Sequence, residues 1–398
     1  MVGAGLVGLA TAYRLLQARP ELRLAVIDKE PVVAAHQSGH NSGVLHAGVY
    51  YVPGSLKARL CVAGKSEMES YASDRGIPFQ RCGKLIVAAD AGEFGRLQTL
   101  YERGVANGVS GVRMIGPEEM QEYEPHAVGV RAVHVPPTGI IDFTAVARSL
   151  AEDVTTAGGR LLLGRQLTAI SAATGGRALD LTGGDRVTTR LLVTCAGLHS
   201  DRIAALTAEP DGDPLPSIVP FRGDYYSLVP SARHLVHGLI YPVPDPALPF
   251  LGVHLTRRHD GEVWAGPNAV LALAREGYRR RDVVPRDVVD VLRSPGFRRL
   301  ARRYWRVGAQ ESWRDVVKKA FLRDLQRYVP SLRGEDLVFG PSGVRAQAVD
   351  ADGSLVDDFR LAEGDGVLHV LNAPSPAATA SLAIGGILAA RAVQRLTG

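Results

Sequence analysis

The sequence has few cysteines and no long apolar run, and both shortages exclude classes of protein. Its 398 residues include 3 cysteines, Cys61, Cys82 and Cys195, and none belongs to a CxxC pair. We therefore expect no disulfide framework, no zinc or other metal site, and a reducing compartment, the cytoplasm. No apolar run reaches the roughly 20 residues of a membrane span, and no secretory signal precedes the first motif. We accordingly expect neither secretion nor a membrane-spanning segment.

The remaining composition is that of an ordinary folded protein. Hydrophobic residues make up 46% and charged residues 22% of the chain, and no charged block is long enough to indicate disorder. A chain of this length suits two interleaved domains. The net charge of +5 is compatible with an acidic small substrate, an anionic membrane surface or nucleic acid, so charge alone does not separate these partners.

The N-terminal region has the pattern of a dinucleotide-binding βαβ unit. Gly3, Gly5 and Gly8 form a GxGxxG turn before a helical stretch, and a strand-like run then ends at Asp28. Such glycines permit a tight turn and a close approach to a pyrophosphate, while the acid accepts a hydrogen bond from an adenosine ribose. Only two residues precede the turn, so either the first strand is a stub or the sequence starts late.

Apolar strands at residues 159–163, 191–197 and 367–371 continue this pattern and indicate an α/β fold. The chain between them has shorter strands that would build a second, antiparallel sheet over the cofactor. We predict a Rossmann-like dinucleotide-binding domain assembled from residues 1–75, 144–215 and 331–398. The interleaved substrate-binding domain comprises residues 76–143 and 216–330.

The glycine turn alone does not distinguish FAD from NAD. Residues 372–381 are small and rich in hydroxyl groups, and they precede a helix predicted for residues 377–396. Backbone N–H groups and the positive helix end would face an acceptor such as the N1/O2 edge of a flavin. An ordinary helix N-terminus capped by Ser375 or Thr379 explains the same residues.

Five segments resemble those of the L-2-hydroxyglutarate oxidases/dehydrogenases. The longest, residues 36–58, contains HQSGHNSGVLHAGVYY followed by PGSLKA. The others are PFRGDYY at 220–226, the stretch 239–257 that begins LIYPVPDP, GVRAQA at 343–348 and NAPSPAAT at 372–379. The resemblance covers essentially the whole chain and implies a glycine-oxidase-like architecture.

The resemblance also implies FAD as the cofactor and a 2-hydroxy dicarboxylate, L-2-hydroxyglutarate, as the substrate. It further implies that electrons pass to a quinone-type acceptor or to oxygen. Together with the glycine pattern it predicts a set of cofactor-binding residues: Gly3, Gly5, Gly8, Asp28, Lys29, Ser38, Asn41, Ser42, Gly43, Val44, Leu167, Ala196, Gly197, Ser375, Pro376, Ala377, Ala378 and Thr379.

Oxidation of a 2-hydroxy acid moves the C2 hydrogen as hydride to flavin N5 while a base takes the hydroxyl proton. His46 and His254 are the candidate bases, because both lie in family-like segments and a neutral imidazole suits this role. A hydrogen-bonded structural role is the alternative for each. His40 and His369 are weaker candidates for the base, because we expect a structural role for each.

A dicarboxylate needs cationic anchors, and a guanidinium binds a carboxylate through two parallel hydrogen bonds. Arg345 resembles the position that holds the substrate α-carboxylate in related flavin oxidases. Arg222 and Lys57 are candidates for the distal carboxylate or the flavin phosphates, although a buried arginine can also be a structural ion-pair partner. Tyr226 and Tyr241 are candidate hydroxyl donors, and packing within a sheet is their alternative role.

Two other functions are compatible with the sequence. One is an FAD oxidase of another small amino or hydroxy acid on the same fold. Such an enzyme would have the same glycine pattern, so the glycines do not exclude it. A flavoprotein without turnover would instead bind a partner, a membrane or RNA through residues 275–328, which hold 16 basic and 7 acidic residues and include Trp305 and Trp313. The solvent-exposed faces of ordinary helices also explain this surplus of basic residues, so we expect no nucleic-acid partner. A quinone, or peripheral contact with the inner face of a membrane, is retained as an alternative partner.

Overall fold

The computed structural model describes residues 1–207, 214–245 and 251–397. Residues 208–213, in the predicted nucleotide domain, and 246–250, in a family-like segment, lie outside these ranges. The α-helices of the described ranges are α1 (Leu6–Ala18), α2 (Leu56–Asp74), α3 (Phe94–Ala106), α4 (Pro117–Tyr123), α5 (Phe143–Thr156), α6 (Ser200–Ala204), α7 (Pro285–Arg293), α8 (Pro295–Val316), α9 (Lys318–Gln326) and α10 (Ser381–Thr397).

The strands are shorter, and most of them lie in two large sheets. They are β1 (Ala25–Ile27), β2 (Val44–Leu45), β3 (Phe79–Gln80), β4 (Leu85–Ala88), β5 (Arg113–Ile115), β6 (Arg131–His134), β7 (Gly139–Ile141), β8 (Arg160–Leu162), β9 (Leu167–Ala173), β10 (Gly176–Leu181), β11 (Arg186–Thr189), β12 (Leu192–Thr194), β13 (Ser217–Leu228), β14 (Leu239–Pro242), β15 (His254–Arg257), β16 (Val263–Gly266), β17 (Val270–Leu271), β18 (Leu337–Val349), β19 (Arg360–Gly364) and β20 (Val367–Asn372).

A mainly parallel sheet forms the predicted nucleotide-binding domain. Its central position is taken by Val2 alone, which bridges Ile27 of β1 and Thr194 of β12 in parallel. β8 pairs with β1 and β20 pairs with β12, also in parallel, while β19 runs antiparallel to β20. The first strand is therefore a stub that still joins the two halves of the sheet, as in doubly wound α/β folds.

Helices α1 and α10 pack closely against each other in this domain. A Cβ on Gly385 of α10 would lie 2.7 Å from the carbonyl carbon of Ala10, so only glycine allows this approach. The predicted start of α10 at residue 377 is wrong, because the chain from Ser375 to Ala380 closes as turns. The Ala377 N–H, for example, donates to the Pro374 carbonyl at 2.9 Å.

A 9-stranded sheet forms the second domain, with the order β17–β13–β16–β15–β14–β4–β6–β5 and with β18 paired to β13. Apart from the parallel pair β14–β4, its ladders are antiparallel, as predicted. Helix α9 covers it with Phe321, which is only 1% exposed. Within the described ranges, no helix has the combination of length and apolar character that crossing a bilayer requires.

Two details correct the sequence-based boundaries. The predicted nucleotide-binding segment 331–398 contains β18, but β18 pairs along β13 from the Ser217↔Val349 pair onward and so lies in the other sheet. The sequence also predicts a break at Gly308, whereas α8 continues through it and departs from helical geometry at Tyr304. A single glycine weakens a helix without ending it.

Candidate active site

A cavity of about 1170 Å3 lies between the two sheets. It exceeds the about 300–1,000 Å3 of typical small-molecule pockets, so it has room for a dinucleotide and a substrate together. It begins at the glycine turn and extends to Arg345 on β18. Every residue predicted to bind the cofactor lines it except Gly43. Gly43 instead has a φ of +75°, which lets the chain turn between two lining residues, Ser42 and Val44.

The glycine turn is held from two sides by side chains of later segments. Ser38 accepts a hydrogen bond from the Leu6 N–H at 2.9 Å, and Asp28 accepts one from the Ala4 N–H at 2.6 Å. A Cβ on Gly5 would lie 3.0 Å from the Ser38 hydroxyl oxygen and would fill the space in front of the turn. The N-terminus of α1 therefore presents an open cradle of the kind that binds phosphate.

The ammonium of Lys29 lies inside a cluster of ionisable side chains beside this turn. It contacts Glu30, lies 2.8 Å from Glu276 Oε2 and lies 3.1 Å from His36 Nε2. Burial opposes ionisation of Glu276, but hydrogen bonds from His199, His36 and Lys29 outweigh it and lower the pKa of this carboxyl. Glu30, His36 and Glu276 could geometrically hold a metal ion, but a cation already lies among them. The cluster joins the two domains.

The C-terminal segment forms the wall opposite the glycine turn. The Thr379 hydroxyl accepts a hydrogen bond from the His46 N–H and donates one to the Val44 carbonyl, both at 3.2 Å. Ser375 lies close to the Tyr51 side chain and opposes the rise that burial causes in the pKa of this phenol. Ala196 and Gly197 line the cavity beside them. Two family-like segments that are distant in sequence, 36–58 and 372–379, thus meet at one surface.

Both candidate bases lie at the Arg345 end of the cavity and both imidazoles are neutral. Burial, together with the charge of Lys84, holds the pKa of His46 well below 6.5. Burial likewise lowers the pKa of His254 to about 3. His254 is oriented by a 3.0 Å hydrogen bond between its Nδ1 and the Gly252 carbonyl, and it stacks on Tyr241 at 3.9 Å. The buried Nδ1 of His46 has no hydrogen-bond partner among the described residues, which fits a site completed by bound molecules.

Arg345 and Lys57 supply the positive charge at the end of the cavity where the two candidate bases lie. The Arg345 side chain is exposed, and it lines the cavity, where the surrounding protein desolvates its guanidinium. Burial lowers its pKa, but an arginine keeps its proton at any physiological pH. Burial also lowers the pKa of Lys57, while Asp357 and Asp358 act in the opposite direction.

Arg222 lines the cavity, but its charge is already compensated. Its Nε donates to Asp224 at 2.8 Å, and its Nη2 lies 3.7 Å from Asp315 Oδ2. A third contact runs from Nη1 to the Arg279 carbonyl at 3.3 Å. This arrangement corresponds to the structural ion-pair alternative, so we give Arg222 no substrate contact.

The structure contradicts the predicted position of Tyr226. Its ring packs against Phe321 and Phe339, with centroids 4.8 and 5.0 Å away, and it does not line the cavity. Successive side chains of a strand point to opposite faces, so the neighbouring Tyr225 faces the cavity instead. Tyr241 does line the cavity, as the candidate role requires.

The two weaker histidine candidates have structural partners. His369 hydrogen-bonds Thr194 at 2.8 Å and Thr207 at 2.7 Å, and it lies outside the cavity lining. His40 lines the cavity, but its ring stacks on Tyr278 at 3.9 Å and its Nδ1 lies 3.2 Å from the Ser342 carbonyl. Both ring nitrogens of His369 are engaged, so it is not available as a base, whereas His40 is held by one carbonyl, as His254 is, and stays the weaker candidate.

Several residues of the site were missed at the sequence level. Tyr50 and Tyr51 line the cavity, and their place at the end of the longest family-like segment was a usable signal. Tyr225 had the signal of the PFRGDYY segment, but the candidate in that segment was its neighbour Tyr226. Glu276 and Lys84 had none, because each is a single charged residue in an unremarkable local pattern.

The family comparison agrees with this geometry. The model of the family described as FAD dependent oxidoreductase matches residues 1–391. The chain belongs to this family. In this FAD-dependent oxidoreductase, the glycine turn, Asp28, the segment around Ser38 and the Ser375–Thr379 turn are the residues that would hold FAD, and the open cradle at Gly5 fits its diphosphate.

Two relatives match over nearly their whole length. The mitochondrial L-2-hydroxyglutarate dehydrogenase of Nematostella vectensis is 47% identical over 416 residues, covering 100% of this chain and 90% of that protein. The L-2-hydroxyglutarate dehydrogenase of Indibacter alkaliphilus is 44% identical over 395 residues, covering 99% of this chain and 98% of that protein.

Solved structures with lower identity share the fold. L-alpha-glycerophosphate oxidase from Mycoplasma pneumoniae, solved with FAD bound, superimposes with a TM-score of 0.77 at 22% identity, covering 100% of this chain and 94% of that one. Glycine oxidase from Geobacillus kaustophilus gives a TM-score of 0.71 at 20% identity, with 99% and 93% covered. The expected glycine-oxidase-like architecture is therefore confirmed.

Proposed function

We propose that this FAD-dependent oxidoreductase oxidises L-2-hydroxyglutarate to 2-oxoglutarate. The observation that carries the proposal is one cavity that runs from the glycine turn to an end where Arg345 and two neutral imidazoles meet. The full-length relatives at 44 to 47% identity are named for this substrate. A cationic pocket with a neutral base suits an alcohol that carries two carboxylates.

Each residue has a distinct task in this reaction. Bound at the glycine turn, FAD supplies the acceptor for the hydride that leaves C2. Arg345 binds the carboxylate next to C2 through its planar guanidinium, and Lys57 attracts the distal carboxylate. His46 or His254 takes the hydroxyl proton, which requires the neutral ring that burial maintains. Tyr51 and Tyr241 line the same end and exclude water.

Anaerobic absorbance spectroscopy tests the substrate. We expect L-2-hydroxyglutarate to bleach the flavin absorbance of the purified holoprotein, because hydride transfer reduces the ring. D-2-hydroxyglutarate, L-malate, glycine and glycerol 3-phosphate should leave it oxidised on the same timescale. Bleaching by glycine or glycerol 3-phosphate instead would favour the alternative, an oxidase of another small acid on the shared fold. No bleaching by any of them would contradict both.

Arg345→Lys tests the carboxylate anchor. We expect KM for L-2-hydroxyglutarate to rise about 10- to 100-fold, because hydrogen bonds to charged groups contribute about 1.5–3 kcal/mol and lysine cannot bind the carboxylate with two parallel bonds. Flavin content should be unchanged. Arg360→Lys, which alters an ion pair with Asp350 outside the cavity, is the matched control. Wild-type steady-state kinetics in Arg345→Lys would remove this residue from the substrate contact.

Single variants of the two imidazoles identify the base. In His46→Asn and His254→Asn, flavin reduction is followed by stopped flow at saturating substrate. We expect the variant of the true base to reduce the flavin about 10²- to 10⁴-fold more slowly, since a positioned base contributes that factor. The other variant should lose mainly stability. If both reduce the flavin at the parental rate, neither imidazole is the base.

We further propose that α8 touches an anionic membrane surface, where a quinone-type acceptor can take the electrons. Trp305, Trp313 and Val316 are 63%, 64% and 73% exposed, and the exposed arginines Arg302 and Arg303 lie on the same helix. Exposed tryptophans beside a cationic helix face are typical of interfacial membrane binding. Reoxidation of the reduced protein by a soluble quinone analogue, compared with oxygen, identifies the acceptor.

Vesicle sedimentation tests the α8 surface. The wild type should bind phosphatidylglycerol vesicles and not phosphatidylcholine vesicles. In Arg302→Gln/Arg303→Gln, binding should weaken by about 1 kcal/mol for each charge removed. Val105→Ser, a change at an exposed position of α3, is the control. Equal sedimentation of the double variant and the wild type, or no binding of either, would show that α8 is not a membrane surface.

A further inference from the structure

A buried lysine lies behind the wall of the cavity. Lys84 immediately precedes β4 and is 4% exposed. Its ammonium nitrogen lies 4.0 Å from the centroid of the Tyr241 ring and 5.1 Å from that of the Tyr50 ring. Both tyrosines also line the cavity. The amine is therefore one aromatic ring away from the site where the substrate carboxylates would bind.

The groups that face Lys84 come from five different parts of the chain and include both candidate bases. Within the described ranges, the titratable side chains that interact with its amine are two phenols, two thiols and two imidazoles: Tyr50, Tyr241, Cys61, Cys82, His46 and His254. A carboxylate is not among them. The charge of a protonated Lys84 therefore acts on the imidazoles without being neutralised nearby.

We propose that Lys84 is a positioning residue for the oxidation, whose amino group adds to the effect of burial in keeping His46 and His254 neutral by taking up the first proton that enters this buried cluster. The proposal rests on the proposed function and deepens its account of the base.

In a buried site with little water, electrostatics favours protonation of Lys84 before that of His46 and His254. Like charges in such a site disfavour one another, so the group that is protonated first suppresses protonation of the rest. Burial lowers the pKa of Lys84 to about 7 and that of His254 to about 3. The Tyr241 and Tyr50 rings stabilise an ammonium in front of their faces through cation–π contacts. Once charged, Lys84 lowers the pKa of His46 further.

A purely structural role does not account for an amine at this position. A buried ammonium without a carboxylate destabilises a folded protein, and an unbranched apolar side chain would fill the same space without that penalty. Lys65, the other buried lysine near this wall, is by contrast paired with Glu69 at 2.5 Å. Its charge is neutralised within α2.

Lys84→Met and Lys84→Arg separate the charge of the side chain from its packing. We measure kcat/KM for L-2-hydroxyglutarate from the lowest pH at which the holoprotein stays folded up to pH 9, because burial holds the pKa of both imidazoles low. Over the same range we follow the His46 and His254 ring nitrogens by NMR of 15N-histidine-labelled protein. In Lys84→Met the acid limb of the profile and the protonation of the imidazoles should move up by about one pH unit, because a like charge has been removed. In Lys84→Arg, where the charge is permanent, both should stay at the wild-type pH.

The sign of the stability change is a further readout. The pKa of Lys84 lies below its unfolded value, so its protonation favours the unfolded chain as pH falls. Lys84→Met should therefore melt at or above the wild-type temperature at pH 6. Lys65→Met, the matched control, should melt lower and keep the wild-type pH profile. If Lys84→Met disturbs the wall, Lys84→Gln provides the neutral variant.

The proposal is overturned if a folded, flavin-loaded neutral variant keeps the wild-type acid limb and the wild-type imidazole titration. A lower melting temperature with an unchanged profile would assign Lys84 a structural role instead. Failure of the wild type itself to reduce its flavin with L-2-hydroxyglutarate contradicts the proposed function, and it is distinguishable because the NMR titration does not depend on turnover.

Discussion

Close backbone packing at the glycine turn constrains the end of the cavity where the dinucleotide would bind. A Cβ on Gly3 would lie 2.3 Å from the Cys195 carbonyl oxygen, and one on Gly8 would lie 2.0 Å from the Gly3 carbonyl oxygen. Only glycine allows α1 to begin this near to β12. Val2 can then bridge β1 and β12, and the N-terminus of α1 lines the cavity, where it would stabilise the diphosphate of FAD.

The opposite end of the cavity depends on the long pairing of β13 with β18. This ladder places Arg345 directly opposite Phe221. The Thr379 hydroxyl links the C-terminal turn to the segment that carries His46. The reaction end is therefore built jointly by both domains.

Burial has opposite consequences for the basic groups that meet there. An imidazole or an amine loses its proton when solvation is removed, whereas a guanidinium starts from so high a pKa that it keeps its charge. The same low-dielectric site thus holds a cation in Arg345 and neutral acceptors in His46 and His254. An enzyme that binds an anion and removes a proton from it needs this combination.

The sequence by itself determined whatever depends on local patterns: the glycine turn, the acid at the end of β1, the segment around His46 and the α/β class. It did not determine which of Tyr225 and Tyr226 faces the cavity, because a register shift between Asp224 and Tyr226 intervenes in the ladder with β18. A strand's side chains change faces with a shift of one residue.

Tertiary structure alone decided the partners of isolated charged residues. Lys29 and Glu276 are separated by 247 positions, and Lys84 reaches Tyr241 through the pairing of β4 with β14. Such contacts leave no periodic trace in the sequence, since each involves one residue from each segment. Motifs predicted where the cofactor would bind, and the fold decided which buried charges lie around the proposed reaction site.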